Sequence, residues 1–372
     1  MNKKRVLLPL AFVIGIILFV YVLRRVGLPA IFDSFRTANL GWLIVFLIVS
    51  VAIVLSLIYR WKFILESQRI HLPLWKIAIF KLVGFSFSFL TPTGQLGGDP
   101  VRGILLKREK VPAAAAYSSV LIDKSIELAT HIGFAVIGFV FIILNYHLTS
   151  NALFLLSTAL AAAILLLVTF YYSIRKNKGF FSRAYRFFRL NQLLFLRKYE
   201  QHVRDVDVEI VNFFRFNKKY FRIALAISLL SWVFMFIEYE AALLAFNYSP
   251  TVLSLFLVIC VVGFSYAIPV PAALGVLELS QASLFVVLNV PVQIGIALGL
   301  LIRFRDVLWA ILGLVCYANY RYCSRKGIPF WLEYRARLLS RKIANITDNV
   351  LEWFCRFLKR AARRIEYRYL RR

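Results

Sequence analysis

Acids and bases stand inside long apolar runs at two places in this chain. The first group is Asp99 and Arg102, followed by Asp123, Lys124, Glu127 and His131; the second is Glu278, followed by Arg303, Arg305 and Asp306. An ionisable group at apolar depth is costly, so it must pair, line a cavity or bind something charged. A guanidinium such as Arg102 suits a phosphate gripped through two bonds, whereas Lys124 offers a point charge. Arg102 can equally pair with Asp99, three residues earlier on one helical face, or extend to water from a cytoplasmic boundary. Glu278 suits a cationic headgroup, a coupling proton, or the electrostatic capping of a helix N-terminus. The sequence leaves these readings open. Asp123, Lys124, Glu127 and His131 share one broad helical face, which is either a binding face or a charge-paired bundle interior. Arg303 and Asp306 share a face; Arg305 points away from it and needs an acid, Glu238 or Glu240 on an earlier span.

The elements that carry these residues are unusual. Val83–Pro112 begins as an apolar helix and is then interrupted by Thr91-Pro92-Thr93-Gly94 and Gly97-Gly98-Asp99-Pro100. Val262–Pro291 is interrupted by Pro269, Pro271 and Gly275 ahead of Glu278. Backbone groups freed by such breaks need protein or a water-filled cavity as neighbours, and broken intramembrane helices often build transporter sites. A shift of 179 residues aligns the two segments without a gap and gives eight identities in thirty positions, among them Val83-Gly84-Phe85-Ser86 on Val262-Gly263-Phe264-Ser265 and Pro92 on Pro271. The same shift puts Asp99 on Glu278, Lys124 on Arg303 and Glu127 on Asp306.

Composition fixes the class. The chain has 372 residues, 61% hydrophobic and 17% charged, and a mean hydropathy of +0.74, which indicates a polytopic all-α membrane protein. Full spans are expected at Val6–Leu23, Leu40–Tyr59, Ala113–Leu144, Ala152–Ser173, Arg222–Phe246 and Val292–Ala318, with the two broken segments between them as re-entrant hairpins. Val6–Leu23 follows Lys3-Lys4-Arg5 but is longer than a signal-peptide core and lacks an Ala-x-Ala site, so it reads as an uncleaved span. The formal net charge of +28 is carried mainly by loops: twelve Lys and Arg lie in Ile174–Phe221 and fifteen after Ala318, against none in Asn145–Asn151. With each broken segment returning to its own side, both termini are expected in the cytoplasm of a cell membrane. Arg60 and Lys81 are counted here as cytoplasmic loop charges. Gly179–Gln192 and the tail, with apolar residues from Leu339 to Ile365 at helical spacing, read as amphipathic surface helices on an anionic leaflet rather than as nucleic-acid sites. Four scattered cysteines, four dispersed histidines and the lack of a Walker loop, nucleophile elbow or His-Glu-x-x-His pattern give no catalytic constellation, metal site or cofactor. The expectation is therefore a protein that is not an enzyme. The expected organisation is a transmembrane domain over 1–320, with repeat halves near 40–144 and 219–318, and a basic tail over 321–372.

Three motifs carry a family resemblance. Gly98-Asp99-Pro100-Val101-Arg102, Pro269-Val270-Pro271-Ala272-Ala273-Leu274-Gly275-Val276-Leu277-Glu278 and Asp123-Lys124-Ser125-Ile126-Glu127 resemble the paired Pro/Gly breaks and the following charged helix of the lysylphosphatidylglycerol synthase transmembrane, or flippase-like, domain family. The likeness covers about residues 1–320. It departs at Asp99 where Glu is usual, at an extra Pro100, and at Ala272-Ala273 where Gly is usual. The 54 residues after Ala318 are too few for the soluble aminoacyl-transferase domain of the bifunctional members. The resemblance implies translocation of an aminoacylated phosphatidylglycerol or a polyisoprenyl-phosphate lipid, with a separate lipid-modifying enzyme as a partner. In a translocase of this kind Arg102, Lys124 and Arg303 are expected to contact phosphate, and Asp99, Glu127, Glu278 and Asp306 to pair them or exchange protons, with Asp123 among the substrate-binding residues. An intramembrane headgroup-modifying enzyme and a non-transporting scaffold are the rival readings. The lipid, the direction, the coupling ion and the oligomeric state do not follow from the sequence.

Overall fold

The computed structural model of the chain describes residues 28–93, 95–145, 150–187 and 200–326. The expected first span Val6–Leu23, Gly94 of the first break and the amphipathic tail lie outside them. The described residues form helices and no strands. In chain order these are α1 (Leu28–Arg36), α2 (Leu40–Ser67), α3 (Leu74–Leu90), α4 (Gly98–Arg108), α5 (Ala113–Asn145), α6 (Ser150–Arg175), α7 (Phe180–Phe187), α8 (Glu200–Phe216), α9 (Lys218–Ala245), α10 (Val252–Ala267), α11 (Val276–Val287) and α12 (Val292–Lys326). A short 3₁₀ turn, Pro271–Ala273, lies between α10 and α11.

Among the described residues α2, α5, α6 and α9 are long and apolar enough to cross a membrane. They match four of the expected spans, but α2 runs eight residues past Tyr59, through Arg60, to Ser67. The expected last span is one helix, α12, with Arg303, Arg305 and Asp306 in its interior. Elsewhere the helices start where local chemistry directs. The Asn39 side chain accepts from the Gly41 and Trp42 amides at 2.9 and 3.4 Å and caps α2. Thr251 caps α10 by accepting from the Ser254 amide at 3.1 Å. Either cap satisfies donors that the first helical turn leaves open.

The two long helices α2 and α9 pack along one another in antiparallel register. Ser56 meets Ser231 at 2.7 Å, and Arg60 Nη1 donates to Ser228 Oγ at 3.0 Å. At the ends, the Asn39 amide donates to the Ala245 carbonyl at 2.8 Å and the Asn217 amide group to the Ser67 carbonyl at 3.2 Å. The register places Arg60 and Glu238 in opposite halves of the pair, each about 10 Å inside the C-terminal end of its own helix.

The 179-residue shift found in the sequence also relates the helices. Moved by it, α2 falls on 219–246 against α9, α3 on 253–269 against α10, α4 on 277–287 against α11, and α5 on 292–324 against α12. Each broken segment folds back as a helix–break–helix unit. In the first, the Gly98 amide donates to Ser88 Oγ at 2.9 Å and Ser88 Oγ donates to the Gln95 carbonyl at 3.1 Å. Gly98 lies against the Gly84 backbone with no room for a Cβ, and the Arg102 stem fills the space over Gly84. In the second, Ser265 on α10 meets Ser280 on α11 at 2.6 Å. Its turn is bent by positive φ at Ala272 (52°), Ala273 (48°) and Gly275 (74°), a conformation costly for the two alanines and easy for glycine.

Among the described residues the two larger apolar cores follow the two halves. Trp61, Phe80, Val83, Leu105, Ile122 and Phe213 belong to one; Phe46, Tyr239, Val258, Leu277, Phe285 and Ile302 belong to the other. Helix α2 supplies both. Helix α12 ties the halves together by crossing α3, where Ser86 Oγ donates to the Ala310 carbonyl at 2.8 Å and Gly313 lies against Leu82 and Ser86.

The basic segment after α6 is described as far as residue 187, and α7 there presents Arg183, Arg186 and Phe187 outward while burying Ser182 and Tyr185. Asp207 on α8 caps it, accepting from the Phe181 amide at 3.1 Å, the Ser182 amide at 2.7 Å and the Ser182 hydroxyl at 2.5 Å.

Candidate functional site

The charged residues of the first half converge on Asp123. This carboxylate, 0% exposed, accepts from Arg60 Nε at 2.7 Å on Oδ1, and from Arg102 Nη2 and Lys81 Nζ, both at 2.7 Å, on Oδ2. Arg60 also reaches Glu127 at 3.0 Å, Lys124 pairs with Glu127 at 2.6 Å, and Arg102 pairs with Asp99 at 3.2 Å. The guanidinium of Arg102 lies over the Trp61 ring, 4.0 Å from its centroid. Four helices supply this cluster: α2 (Arg60, Trp61), α3 (Lys81), α4 (Asp99, Arg102) and α5 (Asp123, Lys124, Glu127). Four cations meet three carboxylates in it. Its burial is uneven: Asp123, Arg60 and Arg102 are enclosed, while Lys124 (27%), Glu127 (23%) and Asp99 (20%) form its partly exposed edge. His131 is turned elsewhere, with Nδ1 2.7 Å from the Glu127 carbonyl and its ring against Trp232.

The second half holds two separate charge groups. Glu278, 0% exposed, meets Arg303 through two bonds, Nε to Oε1 at 2.6 Å and Nη2 to Oε2 at 2.9 Å. Glu278 Oε2 also accepts from the Gly275 amide at 3.0 Å, which closes the N-terminus of α11. Arg303 reaches back to the break, donating to the Ala272 carbonyl at 2.8 Å and the Ala273 carbonyl at 3.2 Å. Asp306 belongs to the other group. Its Oδ1 accepts from Arg305 Nε at 3.0 Å and Nη2 at 2.9 Å, its Oδ2 accepts the hydroxyl of Tyr266, and Arg305 Nη1 donates to Glu238 Oε2 at 2.6 Å.

The structure thus divides the eight sequence candidates. Asp99, Arg102, Asp123, Lys124 and Glu127 come together; Glu278 joins Arg303 beside Pro271 and Gly275; Asp306 joins Arg305. Arg305 takes Glu238 as the acid its spacing demands, and Glu240 is exposed. Sequence reasoning missed Arg60, Lys81 and Trp61. Arg60 and Lys81 are not loop charges: they sit within α2 and α3, and Arg60 is only 2% exposed. A cationic residue one position past an apolar run is ambiguous by itself, and continued helical pattern through Trp61, Ile64 and Leu65 is the signal that places Arg60 inside. Among the described residues no three His, Cys, Asp or Glu side chains are grouped to hold a metal ion.

Buried ion pairs of this kind do not by themselves stabilise a bundle much, because desolvation offsets the attraction. Their concentration beside two helix breaks gives the bundle a polar interior, least buried at Asp99, Lys124 and Glu127.

Comparison with known proteins adds a family. Residues 6–313 match the model of the lysylphosphatidylglycerol synthase TM region. A UPF0104 membrane protein of Methanocaldococcus jannaschii is 24% identical over 333 residues, covering 84% of this chain and 94% of the relative. Another, of Methanothermobacter thermautotrophicus, is 23% identical over 283 residues, covering 72% and 81% respectively. A third, of Pyrococcus horikoshii, is 20% identical over 307 residues, covering 79% and 91%.

Proposed function

The chain belongs to the lysylphosphatidylglycerol synthase TM-region family, and from that premise we propose that it is a lipid translocase of the cell membrane. The lipid headgroup passes through the polar interior while its acyl or isoprenoid chains stay in the bilayer. The lipid is an anionic or aminoacylated phospholipid or a polyisoprenyl phosphate, taken from a separate enzyme that makes or modifies it, and it crosses without covalent change.

One observation carries the reading: each half sets a helix break beside buried charge, and the halves oppose one another. Helices α2 and α9 correspond under the 179-residue shift and run antiparallel, which supports an inverted repeat with α3–α4 and α10–α11 as re-entrant hairpins. Alternating access then follows from exchange between the two conformations of such halves. In this account both termini face the cytoplasm. Lys124 and Asp99 at the partly exposed edge of the first cluster meet the headgroup first. Arg102, held under them by Asp123, supports the phosphate contact, and Arg303 and Glu278 fix the second hairpin against α12.

The test is reconstitution into liposomes carrying lipids labelled in one leaflet. Movement between leaflets with unchanged lipid mass supports the proposal. Altered lipid, or leaflet rates equal to those of empty liposomes for every headgroup class, would sink it.

A further inference from the structure

The group formed by Glu238, Arg305, Asp306 and Tyr266 does not balance its charge. Two carboxyl groups share one guanidinium. Glu238 is 1% exposed and Asp306 4%, so the surplus negative charge would lie unsolvated inside the protein.

The hydrogen bonds say which carboxyl group yields. Asp306 is fully served: Arg305 donates twice to Oδ1 and Tyr266 donates to Oδ2. Glu238 accepts from Arg305 Nη1 at Oε2, and the Ser50 hydroxyl lies beside the carboxyl group. Its Oε1 is buried and has no hydrogen-bond partner. An acceptor oxygen left bare in an apolar interior costs about 1–3 kcal/mol, more if charged. A proton on that oxygen removes the surplus charge. Among the described residues none that packs around the group supplies a second cation. Helix α9 brings Tyr239 beside Glu238, α10 brings Tyr266, α12 brings Arg305 and Asp306, and the α2 register brings Phe46 and Ser50, the latter accepting from Trp309 Nε1 at 3.0 Å. Arg303, two residues from Arg305, is turned to Glu278.

We propose that Glu238, Arg305, Asp306 and Tyr266 form a proton-binding site whose exchangeable proton resides on Glu238 Oε1. The site lies in the half of the α2–α9 pair opposite Arg60, so it and the Asp123 cluster stand at different depths, the one with a surplus acid and the other with a surplus cation. Release of the proton leaves Glu238 and Asp306 competing for Arg305 and favours separation of α9 from α12. That step couples proton movement to conformation; its use to drive lipid rests on the translocase reading, whereas the site itself does not.

Two measurements keep the site and the translocase reading distinguishable. Infrared difference spectra between acidic and alkaline buffers, taken on the full-length protein in lipid nanodiscs, read the carboxylic-acid C=O band directly and need no substrate. A pH-dependent band is expected in the wild type. It should vanish in Glu238→Gln. It should vanish also in Asp306→Asn, because one remaining acid can then pair with Arg305 as a carboxylate. It should persist in Glu278→Gln, whose partner is Arg303. A band that survives Glu238→Gln and Asp306→Asn, or a wild-type signal that responds to sodium and not to pH, would overturn the site. Should Glu238→Gln fail to fold, Asp306→Asn carries the same test. In proteoliposomes containing a trapped pH indicator, lipid movement should be accompanied by proton flux in the wild type and not in Glu238→Gln. An intact infrared result with no such flux would remove the coupling role and leave the site standing.

Discussion

Arg303 grips Glu278 through two bonds at 2.6 and 2.9 Å while donating to the Ala272 carbonyl at 2.8 Å. One guanidinium thereby joins α12, the N-terminus of α11 and the positive-φ turn before it. Lysine has neither the planar fork nor enough fixed donors for all three.

Replacing Arg303 by Ala should therefore destabilise the protein by about 3–5 kcal/mol, since Glu278 is left buried and unpaired. Arg303→Lys should cost less but remain clearly destabilising. The double change Arg303→Ala with Glu278→Ala should cost less than the sum of the single changes. Unfolding of the purified protein in detergent, followed by circular dichroism, measures all three.

Asp123 and Lys124 are neighbours in sequence with opposite weight in the fold. Asp123→Asn strips the common partner from Arg60, Lys81 and Arg102, and should lower stability by about 3–5 kcal/mol. Lys124→Gln, at the partly exposed edge, should cost no more than about 1 kcal/mol. Comparable losses for the two would refute the view that Asp123 is the keystone of the cluster.

The two equivalent glycines Gly84 and Gly263 serve different hairpins, and their surroundings differ. Gly98 and Gly84 touch, whereas a Cβ on Gly263 meets nothing within 4 Å. Gly98→Ala should push α3 and α4 apart at a cost of about 1–3 kcal/mol. Gly263→Ala should be neutral or stabilise α10 by up to about 1 kcal/mol through helix propensity.

The inverted arrangement proposed for the two halves also predicts opposed ends. In a background without the native cysteines, His71→Cys beyond α2 and Ser249→Cys beyond α9 should react with a membrane-impermeant maleimide from opposite faces. The Ser249 position should label from outside intact cells and the His71 position only after permeabilisation. Labelling of both from one face would contradict the inverted arrangement.

Much of this was legible in the sequence because the relevant physics is local. Pro and Gly at Pro92, Gly97, Pro269, Pro271 and Gly275 end helices wherever they fall in space, and the structure breaks at those points. Arg305 was expected to turn from Arg303 and Asp306 and to need an acid on an earlier span; it does take Glu238, but it also pairs with Asp306, its neighbour in sequence. What stayed hidden depends on contacts between distant elements. Arg60 and Lys81 resemble cytoplasmic charges when counted along the chain, and only the packing of α2, α3 and α5 brings both to Asp123. The division of Arg303 and Asp306 between separate partners was hidden for the same reason: their shared helical spacing says nothing about what α10 and α11 place opposite each. The bare oxygen of Glu238 has no sequence signature at all.

The central claim is that the charged interior, least buried at Asp99, Lys124 and Glu127, receives a lipid headgroup. The most direct measurement is the leaflet-to-leaflet rate of an aminoacylated phosphatidylglycerol, whose phosphate can accept from Lys124 and whose ammonium can donate to Asp99, in liposomes containing Lys124→Gln or Asp99→Asn protein, compared with wild type at equal folded content. Loss of one charge-assisted hydrogen bond to the headgroup is worth about 1.5–3 kcal/mol, so both variants should be slower by about tenfold or more. Rates equal to wild type in both would contradict the account.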